Sequence, residues 1–315
     1  MEIFLFSLFN GLLYGMMLFL LASGLTLIFS MMGVLNFAHA SFFMLGAYFA
    51  YTISTLVGFI PALIVAPILV GVIGALVEKY GLRPVHKFGH VAELLFTFGL
   101  AFLIEEVVQL IWGRVAMDYQ IPAFLKFTAF SWQGLDYQAY RVFMLLVSVG
   151  IFVALYWVLT RTRVGLIIQA ALSHSAMTGA LGHNVERVFM VTFGFGCALA
   201  GVAGVIGGNV LGTEPAMALQ LGPIVFVVIV IGGLGSLGGA LVASIFIGVL
   251  DFMANSYDLS FAPFFSLLGI SADMGGTWTD LASLSSANIA PVLPYLLLVL
   301  MLIFRPRGLF GTRDV

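Results

Sequence analysis

From Ile3 to Val77 the chain carries no Asp, Glu, Lys or Arg. At about 1.5 Å per helical residue against a hydrocarbon core of about 30 Å, such a run provides for about three membrane crossings. Composition agrees: of 315 residues 62% are hydrophobic and 8% charged, whereas soluble domains carry about 25% charged residues. So few charges cannot clothe a water-soluble fold of this size, and a mean hydropathy of +1.16 makes lipid the expected solvent. Glu2 stands where a secretory signal has Lys or Arg, and the apolar stretch runs past signal-peptide length, so the first segment is expected to be retained.

The cations fix a topology. Nine of the twelve lie in three clusters: Lys79, Arg83 and Lys87; Arg161, Arg163 and Arg187; Arg305, Arg307 and Arg313. Between Arg187 and Arg305 there is no Lys or Arg, but a connection over 255–288 carries Asp258, Asp273 and Asp280, with Asp251 just before it. Cation-rich loops face the cytoplasm. Placing all three clusters inside requires an odd number of crossings before Lys79, two between Lys87 and Arg161, and an even number from Arg187 to Arg305. Hydropathy supplies spans near 5–29, 40–57, 60–77, 91–112, 141–160, 188–211, 222–233, 237–254 and 289–304. The expectation is a single all-α, polytopic membrane helix bundle over 1–315, with eight or nine crossings, some discontinuous. Its N-terminus is expected outside and its C-terminus in the cytoplasm. Dyad alternation, the mark of a membrane barrel, is lacking. Paired glycines inside the spans, Gly11 with Gly15, Gly71 with Gly74, Gly201 with Gly204 and Gly235 with Gly239, imply helices that touch.

Several strings lose their obvious meaning in this setting. Gly233, Gly235 and Gly238 have the G-x-G-x-x-G spacing of a dinucleotide site, but residues 237–250 are apolar all round and no other strand-helix-strand pattern exists. A break between two half-buried helices is the better reading. No phosphate-cradling loop ending in Gly-Lys-Ser/Thr occurs, and no run of Lys or Arg suits a nucleic-acid backbone. Cys197, the one cysteine, reads as a buried packing residue, and no His, Asp, Glu or Ser grouping has the spacing of a metal site or a catalytic triad.

Three places remain informative. Glu105 and Glu106 sit about fifteen residues into the fourth span and point about 100° apart. A carboxylate there is expensive, on the order of 3 kcal/mol, and structural pairing, with Arg114 as the candidate cation, is favoured over a role in permeation. Asn36 and His39 interrupt the long uncharged run. Either Asn36 caps the second helix with His39 in its first turn, or both mark a solute pathway at a discontinuous helix. Residues 166–181 (LIIQAALSHSAMTGAL) are placed in water by the topology, yet carry no charge. They form either a helix seated in a partner's groove, ended by Gly182 and Asn184, or one folded under the bundle.

Taken in order, five strings resemble the permease subunits of branched-chain amino acid ABC importers, the LivH-like branch. They are GLTLIFSMMGVLNFAHASFFMLGAY (24–48), RTRVG with QAA (161–171), Gly182, Asn184 and Arg187 leading into FGFGCALAGVAGV (193–205), VIGGLGSLGGA (230–240), and FRPRGLFG (304–311). The resemblance implies a bacterial inner-membrane subunit that is not an enzyme. It would pair with a second homologous permease, two cytoplasmic ATP-binding subunits and a periplasmic solute-binding protein, with ATP used by the partners and no cofactor in this chain. It puts Gly33, Asn36, His39 and the break at Gly233 and Gly235 beside the translocation path. Within the cytoplasmic stretch 161–187 it makes Gly165, Gln169, Ala170, His174, Gly182 and Asn184 the ATPase-coupling residues. Gln169 stands where Arg is usual, His174 where an acid is usual, and Ala40 where Gly is usual. The solute is a branched-chain or related hydrophobic amino acid, with urea, short amides or aromatic acids as alternatives in the same family. The rival from another class is an ion-coupled transporter, for which Glu105, Glu106 and Asp251 are the available ionisable groups.

Overall fold

In lipid every backbone amide must find its partner within its own segment, and helices do this. The computed structural model describes residues 2–33, 35–132, 135–173, 175–257, 260 and 285–311. Helices α1 (Glu2–Met32), α2 (His39–Val57) and α3 (Phe59–Val77) come first; α3 runs through a π turn at Glu78–Leu82 into α4 (Arg83–His86). Then follow α5 (His90–Trp112), a hairpin of β1 (Thr128–Trp132) and β2 (Leu135–Gln138), α6 (Ala139–Arg161), α7 (Arg163–Ser173) and α8 (Ser175–Ala180). The chain continues as α9 (Val185–Leu211), α10 (Met217–Gly232), α11 (Leu237–Tyr257), α12 (Ser286–Ile289) and, after a 3-10 turn at Ala290–Val292, α13 (Leu293–Phe304).

Among the described residues eight helical runs are long and apolar enough to cross a membrane. The ninth expected span is α10, whose 16 residues reach only about 24 Å, short of the hydrocarbon thickness. The bundle is therefore polytopic and all-α, with discontinuous segments. Most of the expected acidic connection lies outside the described residues.

Contacts sort the helix ends into two groups. One end collects Arg83 with Glu186, the loop before α2 with Thr97 of α5, Gly235 with Ser30, and the final segment with α10, where Leu309 N–H donates to Ile231 O. Lys79, Arg83, Lys87, Arg161, Arg163, Arg187, Arg305 and Arg307 all belong to this end; Arg313 lies outside the described residues. The other end holds the start of α1, where Asn10 Oδ1 accepts from Arg141, the β-hairpin, and the Met117–Thr213 bridge. There Tyr119 and Tyr140 hydroxyls donate to the Val205 and Ile206 carbonyls of α9.

The centre is built by α1, α2, α9 and α10, while α5, α6 and α13 keep most of their apolar surface outward. Glycine makes the centre possible. A Cβ on Gly46 of α2 would stand 2.5 Å from Gly201 O of α9, and one on Gly11 of α1 would stand 2.5 Å from Val249 Cα of α11. Backbones that close gain dispersion contact where lipid offers no hydrophobic drive. The hairpin was not anticipated: its register pairs Phe130 with Tyr137 and Ser131 with Asp136, and Phe9 of α1 packs edge-on against Tyr137 at 4.6 Å.

Replacing Gly248, whose Cβ would meet Gly15 N at 2.5 Å, by Val forces α1 from α11. A loss of about 1–3 kcal/mol is expected, read as a lower thermal midpoint in detergent. Gly150→Ala, where the added methyl meets nothing within 4 Å, leaves the midpoint unchanged or higher; equal loss in both variants would contradict this packing.

Candidate functional site

After α1 ends at Met32 the chain turns back into the bundle. His39, the first residue of α2, donates from Nε2 to Leu21 O at 3.0 Å; a carbonyl only accepts, so the proton is on Nε2. Leu21 lies eleven residues before Met32, about 16 Å back along α1, so α2 begins deep among the helices. Gly24 gives the ring its space, for a Cβ there would lie 3.0 Å from the imidazole. The returning loop is tied to α5: Phe37 N–H donates to Thr97 Oγ1 at 3.3 Å. Asn36 Oδ1 accepts from Ala38 N–H at 3.1 Å. Asn36 is 3% exposed and His39 1%, yet Asn36 Nδ2 and His39 Nδ1 have no partner among the described residues. Buried polar atoms are normally satisfied, which sets these two apart.

Both residues line a cavity of about 420 Å³. Its walls are Leu25 of α1, Leu35 to Phe37 and His39 to Ser41, the α5 face of Phe98, Ala101, Phe102 and Glu105, the α10 face from Ala218 to Val227, and Tyr295 and Leu298 of α13. Pro223 falls within α10. The lining is apolar apart from Asn36, His39, Ser41, Glu105 and the Tyr295 hydroxyl.

Of the residues placed beside the path by sequence, the structure brings Asn36 and His39 together here. Gly33, Gly233 and Gly235 are not on the cavity wall. Gly233 (φ 101°) ends α10 against the final segment, where Phe310 N–H donates to Gly232 O at 3.0 Å; Gly235 (φ 83°) lies near Ser30, and Gly33 (φ 63°) follows α1. Glu105 needs correction. Among the described residues no ion pair joins it or Glu106 to Arg114; Glu105 instead accepts from Gln109 Nε2 at 3.4 Å and faces the cavity. Positions 98, 101, 102 and 105 share a helical face, a signal the sequence already contained. Thr97, which holds the loop, had no such signal.

The second element is the α7–α8 arm. Gly165 is buried where α7 turns off α6, and Gln169 Nε2 donates to Leu159 O at 3.0 Å. Gln169 and Ala170 are exposed; His174 lies outside the described residues. Val164 (59%), Leu166 (61%), Met177 (65%) and Leu181 (77%) expose apolar surface along the arm. Gly182, at φ 90°, ends α8 with His183 N–H donating to Thr178 O at 3.3 Å, a left-handed helix stop. Asn184 Oδ1 then accepts from Arg187 N–H at 2.9 Å and caps α9. Sequence reasoning passed over the anchor beside it. Arg83 donates to both oxygens of Glu78 and to Glu186 at 2.9 Å, joining the start of α9 to α3.

Residues 7–304 match the sequence model of the family described as "Branched-chain amino acid transport system / permease component". The chain belongs to that family. It is 26% identical to the Pseudomonas aeruginosa permease protein BraD, over 99% of this chain and 97% of that one. It is 24% identical to Escherichia coli LivH over the same shares. A Methanocaldococcus jannaschii protein named as a probable LivH is 29% identical over 79% of this chain and 80% of its own. The LivH-like resemblance read from the five strings is thereby borne out, and the relatives are named as transport permeases, not as enzymes.

Arg83→Met leaves Glu78, whose side chain is 1% exposed, without its counter-charge. A loss of about 3 kcal/mol is expected, with Glu78→Gln in the same background recovering at least half, both read from thermal unfolding in detergent. A neutral Arg83→Met would show that the anchor carries no stability.

Proposed function

We propose that this chain is a membrane-spanning permease subunit of an ATP-binding-cassette importer for branched-chain or related hydrophobic amino acids. It acts with a second homologous permease, cytoplasmic ATPases and a solute-binding protein, in the inner membrane of a bacterium. The observation that carries the reading is the apolar cavity at the buried start of α2, in a chain whose relatives are named for branched-chain amino acid transport. An apolar wall suits a hydrophobic side chain better than urea or a short amide, which would leave it unfilled. The gathering of eight cations at one end supports a cytoplasmic location for that end, with the N-terminus outside.

The chain performs no bond chemistry. Its α7–α8 arm, 163–180, with Gly182 and Asn184, is the handle that the ATPases grip. Exposed Val164, Leu166, Met177 and Leu181 would be covered by the ATPase groove, and the Arg83 anchor would pass motion of α9 to α3. Free energy from ATP enters as a difference in contacts between inward-open and outward-open states.

Gly182→Leu puts a branched side chain at φ 90°, a strained backbone, and shifts the exit of the arm. In proteoliposomes holding the complete importer, ATP hydrolysis is expected to continue while uptake of L-leucine falls at least fivefold. Uptake equal to that of the unmodified importer would remove this arm from coupling, and uptake that survives ATP depletion but stops when the proton gradient is dissipated would overturn the importer reading.

A further inference from the structure

We infer that the cavity is itself a recognition site for a zwitterionic amino acid, with Glu105 as the counter-charge of the α-ammonium group and the start of α2, with Asn36 Nδ2, as the seat of the carboxylate. The inference rests on the importer reading and deepens it: solute chemistry is then read in the membrane as well as by the binding protein.

Three observations carry it. A carboxylate on the wall of an apolar cavity inside the membrane is costly unless a cation meets it. Among the described residues no Lys, Arg or His pairs with Glu105, whose recorded partner is the neutral amide of Gln109. Its neighbour Glu106 is exposed, off the cavity wall. Asn36, which lines the same cavity, has in Nδ2 a buried N–H donor without a partner among the described residues, and the N-terminus of the 19-residue α2 adds its positive dipole end. Donor and acceptor thus line one chamber.

The apolar wall, with Phe98, Phe102, Val225, Phe226 and Leu298, offers room for an aliphatic side chain beside the two charged groups. A molecule with the side chain and carboxylate but no ammonium would leave Glu105 uncompensated, and a site built around a charge rejects the analogue that lacks it.

The test uses the complete importer in proteoliposomes with saturating, L-leucine-loaded binding protein. Glu105→Gln keeps the shape and removes the charge. Loss of a charged hydrogen bond is worth about tenfold or more, so leucine uptake is expected to fall at least tenfold while ATP hydrolysis stays within twofold; Glu106→Gln leaves both unchanged. In detergent, without the binding protein, L-leucine is expected to raise the thermal midpoint of the unmodified importer and not of Glu105→Gln, and 4-methylpentanoate to raise neither. Uptake by Glu105→Gln within twofold of the unmodified importer overturns the inference. So does loss of the sister permease on purification of that variant, which would make Glu105 an interface charge, or equal protection by 4-methylpentanoate. Failure of the unmodified importer to move leucine would instead count against the proposed function.

Discussion

One constraint governs this molecule: non-helical backbone inside a bilayer survives only where protein groups complete its hydrogen bonds. The return of the chain between Met32 and His39 is where that constraint bites. Thr97 meets the loop at Phe37, Asn36 Oδ1 meets Ala38 N–H, and His39 Nε2 reaches the Leu21 carbonyl. Each satisfies part of a segment that could not otherwise lie at this depth. Among the described residues the bonds are incomplete at Asn36 Nδ2 and His39 Nδ1, and both residues line the cavity. A fully satisfied loop would be a structural turn; a partly satisfied one at a chamber wall is, on the proposed function, a place for a solute.

Rigidity elsewhere gives the loop its use. Where glycine backbones touch, as between α2 and α9 at Gly46 and Gly201, two helices move as one unit, because packed interfaces shift between discrete arrangements and do not deform smoothly. The Arg83 anchor fastens the start of α9 to the π turn after α3. On the proposed function, a displacement delivered to the exposed arm at 163–180 would have a short, stiff route through α9 to the helix that carries His39. Cavity and arm meet opposite requirements: the first keeps a few polar atoms unsatisfied in an apolar shell, the second keeps apolar atoms exposed.

Much of this was legible in the amino-acid order. The uncharged run to Val77 and the three cation clusters sufficed for a helical bundle whose basic loops share one end, because charge burial in lipid is costly enough to leave few alternatives. Gly182 and Asn184 announced a helix stop and a cap by chemistry confined to a few residues. What the order hid depends on distance in space. The Arg83–Glu186 pair joins residues 103 apart in sequence, and nothing local marks Thr97 as the clamp on a loop from another part of the chain. Glu105 was visible as a costly carboxylate but was assigned to Arg114, since neighbourhood along the chain suggested a partner that the helix geometry does not provide. Gly233 and Gly235 were rightly read as a break; only the fold shows that the break docks the final segment, away from the chamber. The hairpin at 128–138 escaped because the hydropathy that exposes spans is blind to short strands between them.

The most direct measurement follows the chamber through the transport cycle. Ser41, 2% exposed on the cavity wall, is replaced by Cys; the native Cys197, 0% exposed, is a silent background thiol. A membrane-impermeant maleimide is applied from each side of proteoliposomes holding the complete importer, without nucleotide and with the ATPases trapped by vanadate. Labelling that switches from one side to the other between the two conditions is the predicted result. A thiol that reacts from neither side in either condition, or from the same side in both, would contradict a solute path through the start of α2.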